Sequence, residues 1–241
     1  MNVLRISSSF LIVILLISCQ SSSKEKKEAI YKDVQVVSAM KNVMWKGELY
    51  GKIHLDTIAD KKGLYGIGPV SNLSGEILII DGKSYVSRVV SDSTMTVENT
   101  FDVKAPFFVY ANVTDWTAVE LPSRITSVKD IETFVDESTK TYKRPFVFRL
   151  KGTVKTATIH IQNLPKGTKV SSPKEAHQGQ VSYNLTNEAV EIVGFFSTEH
   201  HGVFTHHDSN IHLHLITKDE NKMGHVDALE IENMQLFLPK K

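Results

Sequence analysis

A single cysteine, Cys19, among 241 residues excludes an internal disulfide. Neither charge is in excess, with 28 Lys and Arg against 27 Asp and Glu. The basic surplus that marks a nucleic-acid binder is therefore missing. No apolar run is long enough to cross a bilayer of about 30 Å; the longest, Phe10 to Ile17, has eight residues. With 41% hydrophobic and 8% aromatic residues, the composition is not that of a disordered, collagenous or disulfide-dense chain. What remains is enough for one large domain or two small ones with a real core.

The short apolar run has the length and position of an export signal core, behind a basic start at Arg5. Leu16-Ile17-Ser18-Cys19 resembles a bacterial lipobox, so residues 1–18 are expected to be a lipoprotein signal peptide and Cys19 the lipidated residue. The alternative is an ordinary signal with an incidental cysteine. Residues 19–30 (CQSSSKEKKEAI) are mostly polar and charged and read as a flexible tether. Membrane contact would then come only through the lipid, with the folded body held at the cell envelope.

From Tyr31 the pattern predicts mixed structure. Val34, Val37, Met40, Val43 and Met44 recur at helical spacing over Tyr31 to Met44, with Gly47 beyond. Thr57 to Lys62 reads as a second short helix closed by Gly63. Glu76 to Ile80 reads as a buried strand, Asp81-Gly82-Lys83 as a hairpin turn and Tyr85 to Val90 as its return. Strands are predicted at Phe107 to Val113 and Trp116 to Leu121, and a helix at Val128 to Val135 with Ser127 as N-cap and Asp130 three residues on. Further strands are expected at Pro145 to Leu150, Val154 to Gln162, Ala189 to Phe196, Ile211 to Thr217 and Val226 to Leu238, with a polar loop over Lys166 to Gln180. The fold class is α+β: β-rich, two lobes of mixed or antiparallel sheet with a few helices. The N-terminal lobe is expected over residues 31–122 and the C-terminal lobe over 123–241.

Seven of the ten histidines fall between His200 and His225. In Ile211-His212-Leu213-His214-Leu215 the alternation puts His212 and His214 on one strand face and the aliphatics on the other. Two adjacent imidazoles repel when both are charged, and a metal resolves this by binding both neutral rings. A hairpin over Lys218 to Gly224 would return His225 beside them. Three histidines with an open position form a common catalytic zinc arrangement. A His-rich surface strand without metal, or a buffering cluster, are the competing readings. His200, His201, His206 and His207 read as exposed loop or pocket-rim residues.

The order of these segments resembles the α-acetolactate decarboxylases. Ile192-Val193-Gly194-Phe195-Phe196, His212-Leu213-His214 and Gly224-His225-Val226 are similar to that family's C-terminal strands. Gly66-Ile67-Gly68, Leu73-Ser74-Gly75-Glu76 and Asp81-Gly82-Lys83 with Tyr85 are similar to its N-terminal segment, and Ala105-Pro106-Phe107 to its PF strand. The resemblance implies a Zn2+ site at His212, His214 and His225, with Glu76 the carboxyl near the metal. It implies decarboxylation of 2-acetolactate, a small 2-hydroxy-3-oxo acid, to acetoin and carbon dioxide. His160 stands where the family carries a substrate-holding arginine and is expected to serve in catalysis beside Glu76 as a hydrogen-bond donor without the arginine fork; Pro69 stands where the family has a threonine. A metal-binding envelope lipoprotein without this turnover, on the same scaffold, is the alternative. Expected partners are the small acid, no nucleic acid, the membrane through the lipid alone, and a second copy as a homodimer.

Overall fold

Apart from Met1, the computed structural model describes residues 33–240. The expected signal peptide beyond Met1 and the whole of the expected tether, Cys19 included, lie outside the described residues. The elements run β1 (Gln35–Val37), α1 (Met40–Lys46), β2 (Ile53–His54), β3 (Leu64–Pro69), β4 (Glu76–Ile80), β5 (Lys83–Ser91), β6 (Thr94–Asn99), β7 (Lys104–Ala105), β8 (Phe108–Asn112) and β9 (Trp116–Glu120). They continue with α2 (Val128–Ser138), β10 (Phe146–Ile161), α3 (Pro173–Ala176), β11 (Val181–Phe196), β12 (Ile211–Thr217) and β13 (Met223–Pro239).

Strands β1-β8-β3-β4-β5-β6 form one sheet and β10-β11-β12-β13-β9 a second, while β2 and β7 pair on their own. Every strand pair is antiparallel. The β-rich fold with three helices agrees with the expected class. Strand β10 pairs with β11 along one edge and with β13 along the other, so β10, β11, β12 and β13 close on themselves. Strand β9 precedes residue 122 in the chain, and its partner is β13 of the second sheet.

Alternation along each strand decides which face is buried where. Ile211, Leu213 and Leu215 of β12 join Ile159, Ile161, Ile192 and Val226 in one core, covered by Ile131 and Val135 of α2. The opposite face of this sheet supplies Val147, Val193, Phe195 and Ile216 to a core shared with Tyr65, Ile67, Leu78 and Tyr85 of the first sheet. His212 and His214 lie on that same face as Ile216, so they point between the sheets. On β4, Leu78 enters the shared core, whereas Ile77 and Ile79 face a third cluster with Leu55 and Phe108. Glu76 shares the Leu78 face and is aimed at the second sheet.

Several local expectations hold. Asp81 and Gly82 form the turn between β4 and β5, and α2 starts in a capping box in which Ser127 and Asp130 satisfy each other's backbone N–H. Others are corrected. The helix expected over Tyr31 to Met44 is a strand, a turn and a helix: β1 pairs with β8, Ser38 adopts φ 58, and only Met40 onward is helical. A residue in the left-handed region breaks a right-handed helix. Thr57 to Lys62 is not helical either, because the Lys61 ammonium donates to the carbonyls of Leu55, Asp56 and Ile58 in place of helical N–H groups. The two strands expected on either side of Lys151-Gly152-Thr153 are a single sixteen-residue strand. The polar loop at 166–180 contains the single turn α3, capped by Ser172.

Leu213 faces away from the histidines and is 2% exposed. Leu213→Ala is therefore expected to lose about 2–5 kcal/mol of stability in urea unfolding, with metal content per folded chain unchanged.

Candidate metal centre

The second sheet brings three imidazoles together by register alone. His214 lies opposite His225 across the β12–β13 pair, and His225 lies opposite His160 across β13–β10. Gly224 makes the second approach possible, since a Cβ there would stand 2.6 Å from the His160 carbonyl oxygen. Ring centroids are 5.0 Å apart for His212 and His214, 4.9 Å for His212 and His225, and 5.5 Å for His214 and His225. One ligand nitrogen from each lies within 4.8 Å of the others. All three residues are at most 9% exposed.

Nε2 of His212 and Nε2 of His214 are 3.2 Å apart. Two nitrogens about 2.0–2.1 Å from one tetrahedral ion would be separated by about 3.3 Å. Burial pushes all three rings to the neutral form: His214 is lowered to about 3, and His212 and His225 lie well below their ordinary value, with neighbouring histidines adding to the effect. Neutral rings with converging lone pairs are the state a cation requires. The buried triad can hold a metal ion.

Glu76 comes from the other sheet. Its Oε2 is 3.7 Å from Nε2 of His214, and its Oε1 accepts the backbone N–H of Gln162 at 3.2 Å. The carboxyl is 3% exposed, and burial raises its pKa well above the ordinary value against the pull of that hydrogen bond. Gly75 sets the geometry: its φ is +152, and a Cβ there would sit 2.4 Å from the Ser87 carbonyl oxygen. Only glycine lets β4 approach β5 this closely immediately before Glu76.

His160 lies against His225 with ring centroids 4.6 Å apart. Its Nδ1–H donates to Asp227 Oδ1 at 2.7 Å, and its Nε2 accepts from the Gln162 amide at 3.4 Å. Both ring nitrogens are thus engaged. His160, His225 and Asp227 form a second group of close ligand atoms, but it shares His225 with the triad and is already joined by the short hydrogen bond.

A cavity of about 150 Å³ opens onto Glu76, His160, His212 and His225. Its other wall is apolar, with Met40 and Met44 from α1, Leu73 and Phe107. His177, Gln180 and His206 also line it. The sequence points to His206 as loop or rim, and the structure puts its ring 5.4 Å from that of His225. His200 instead bonds Ser197 and stacks on Phe204, His201 bonds Asn210, and His207 is exposed. Gln162, Gln180, His177 and Asp227 are not signalled as site residues by any local pattern. Gln162 follows β10 directly, and its side-chain amide meets the His160 ring.

An antiparallel two-sheet scaffold with a buried three-histidine group that could hold a metal ion, beside a buried carboxyl, is the arrangement expected of a lyase-type site. The sequence profile of α-acetolactate decarboxylase matches residues 35–240, and the chain belongs to that family of carboxy-lyases. The α-acetolactate decarboxylase of Lactococcus lactis subsp. cremoris is 32% identical over 72% of this chain and 70% of its own. That of Bacillus subtilis strain 168 is 27% identical over 92% of this chain and 84% of its own. The crystal structure of the Bacillus subtilis enzyme superposes with a TM-score of 0.70 at 26% identity, covering 86% of both chains.

Two pH dependences follow for metal-stripped protein. The unfolded chain takes up protons at its histidines as pH falls through about 6.5, while the folded triad resists, His214 until about 3. Stability is therefore expected to be lost as pH falls from about 6.5 towards 3, read as a falling urea midpoint. Glu76 acts in the opposite sense: unfolded it ionises above about 4.5, whereas burial holds the folded carboxyl's pKa well above that, so its ionisation costs stability as pH rises. Glu76→Gln is expected to match the parent at pH 4 and to be the more stable of the two at pH 8.

Proposed function

We propose that this chain decarboxylates 2-acetolactate to acetoin and carbon dioxide at a zinc ion held by His212, His214 and His225. The observation that carries the reading is the convergence of three buried neutral imidazoles beside a buried carboxyl, with His212, His225 and Glu76 on the wall of one small cavity. Membership of the carboxy-lyase family supports it.

The substrate is a β-keto acid with a hydroxyl at C2. The C1–C2 bond breaks, carbon dioxide leaves, and the bonding pair passes into the C3 carbonyl to give an enediolate. Proton delivery to C2 then yields acetoin. A bound zinc supplies a Lewis acid for the charge that develops on oxygen. His212, His214 and His225 would hold that ion, and the cavity beside them would receive the substrate. Burial favours the protonated form of the Glu76 carboxyl, and the Gln162 N–H donates to its Oε1 while Oε2 lies toward His214. Glu76 is thus the proton donor or relay to C2. His160 is clamped by Asp227 and lies against His225, so it positions that ligand. Met40, Met44, Leu73 and Phe107 keep water from the opposite side of the cavity.

Attachment to the cell envelope through a lipid on Cys19 is also part of this proposal, supported by the Leu16-Ile17-Ser18-Cys19 sequence. Full-length chain expressed in a bacterial host is expected to incorporate labelled palmitate, and Cys19→Ser to incorporate none.

Purified protein is expected to carry about one zinc per chain and to form acetoin from fresh racemic acetolactate. His212→Ala should lose both metal and turnover. Glu76→Gln should keep the metal and lose about 10²–10⁴-fold in kcat. Full activity in His212→Ala would overturn the assignment.

A further inference from the structure

The proposed substrate carries a carboxylate, and the cavity must receive that anion before it is lost. Among the described residues, no lysine or arginine lines the cavity. Glu76 and Asp227 are acceptors, which repel an anion unless protonated. His212 and His225 turn to the metal centre, and His160 has both ring nitrogens engaged by Asp227 and Gln162. The Gln162 amide nitrogen is itself shared between His160 and Gln180.

Two imidazoles on the lining are left. His206 comes from the loop between β11 and β12, and His177 closes α3 as its C-cap residue. Neither ring makes a hydrogen bond among the described residues. Neither belongs to a group of three or more ligand atoms close enough to share an ion among the described residues. Both border a second, largely apolar hollow outside the cavity, with Met40, Met44 and Trp45. They therefore flank the passage between the outer hollow and the metal centre. Burial disfavours charge on both rings, and a neutral imidazole still offers one N–H.

We infer that His177 and His206 bind the substrate carboxylate through their ring N–H groups and are the residues that select an anionic 2-hydroxy-3-oxo acid over its neutral ketone counterpart. This rests on the reading of the site given above. Two imidazole donors hold a carboxylate without the fixed charge of a guanidinium. The leaving group would lie at the mouth, with C2 and C3 directed inward to Glu76 and the metal.

The test is calorimetric binding to zinc-loaded protein of two unreactive probes: 2-hydroxy-2-methylpropanoate, which has the carboxylate, and 3-hydroxy-3-methylbutan-2-one, which has the hydroxyl and ketone without it. The double variant His177→Ala/His206→Ala is expected to bind the anion at least about tenfold more weakly and the ketone as tightly as the parent. The Gln pair, which keeps an N–H donor at each position, should recover most of the anion affinity. In acetolactate turnover the Ala variant should raise KM with little change in kcat. Unchanged anion affinity, or equal loss of both probes, would overturn the inference while leaving the metal-site reading intact. Failure of the parent protein to bind either probe would instead remove the site reading itself, and this inference with it.

Discussion

Burial of three uncharged imidazoles at a contact between two sheets is the constraint around which this molecule is arranged. A sheet face normally enters such a contact with aliphatic side chains, as Ile216, Val193 and Phe195 do here. His212, His214 and His225 occupy the same face and give up solvation of six ring nitrogens. Nδ1 of His212 and of His214 has no well-formed hydrogen bond among the described residues. A buried polar atom without a partner costs about 1–3 kcal/mol. The facing Nε2 atoms, 3.2 Å apart on His212 and His214, carry a separate cost of lone-pair repulsion; a cation held between them would remove it and so link metal binding to folding.

Sheet geometry supplies the precision. Strand β13 pairs with β12 through His225 on one edge and with β10 through the same residue on the other. One residue is therefore fixed by two ladders at once, and His160 enters the site on the second of them. The closed ring formed by β10, β11, β12 and β13 is packed inside by Ile159, Ile192, Leu213 and Leu215. That packing leaves little freedom for a slip in register, which would turn every histidine into the core. The first sheet contributes one carboxyl, Glu76, across the contact. Loops add His177 and His206 at the mouth, where variation disturbs the scaffold least.

Much of this was legible in the chain where the signal is local. Strict alternation over Ile211 to Ile216 gives β12 its bounds and its two faces. Ser127 with Asp130 announces α2, and Asp81-Gly82 announces the hairpin after β4. Where the pattern arises from long-range packing, the reading fails. Gly152 looks like a turn residue, yet β10 runs through it: Asn233 O of β13 lies 2.0 Å from where a Cβ would be. The helical spacing from Val34 to Met44 is produced by a strand edge and a separate helix joined at Ser38. The partners His160 and Asp227 are 67 residues apart, and Glu76 is 86 from Gln162. No local spacing records such contacts; the register of β10 against β13 creates the first, and the approach of β4 from the other sheet to the end of β10 creates the second.

Absorption spectroscopy at the zinc edge tests the central claim most directly, because it reads the coordination shell. The account predicts three imidazole nitrogens at about 2.0–2.1 Å, with one or more oxygen ligands in addition. A shell with one histidine or none, or a folded protein that takes up no metal at all, would contradict it.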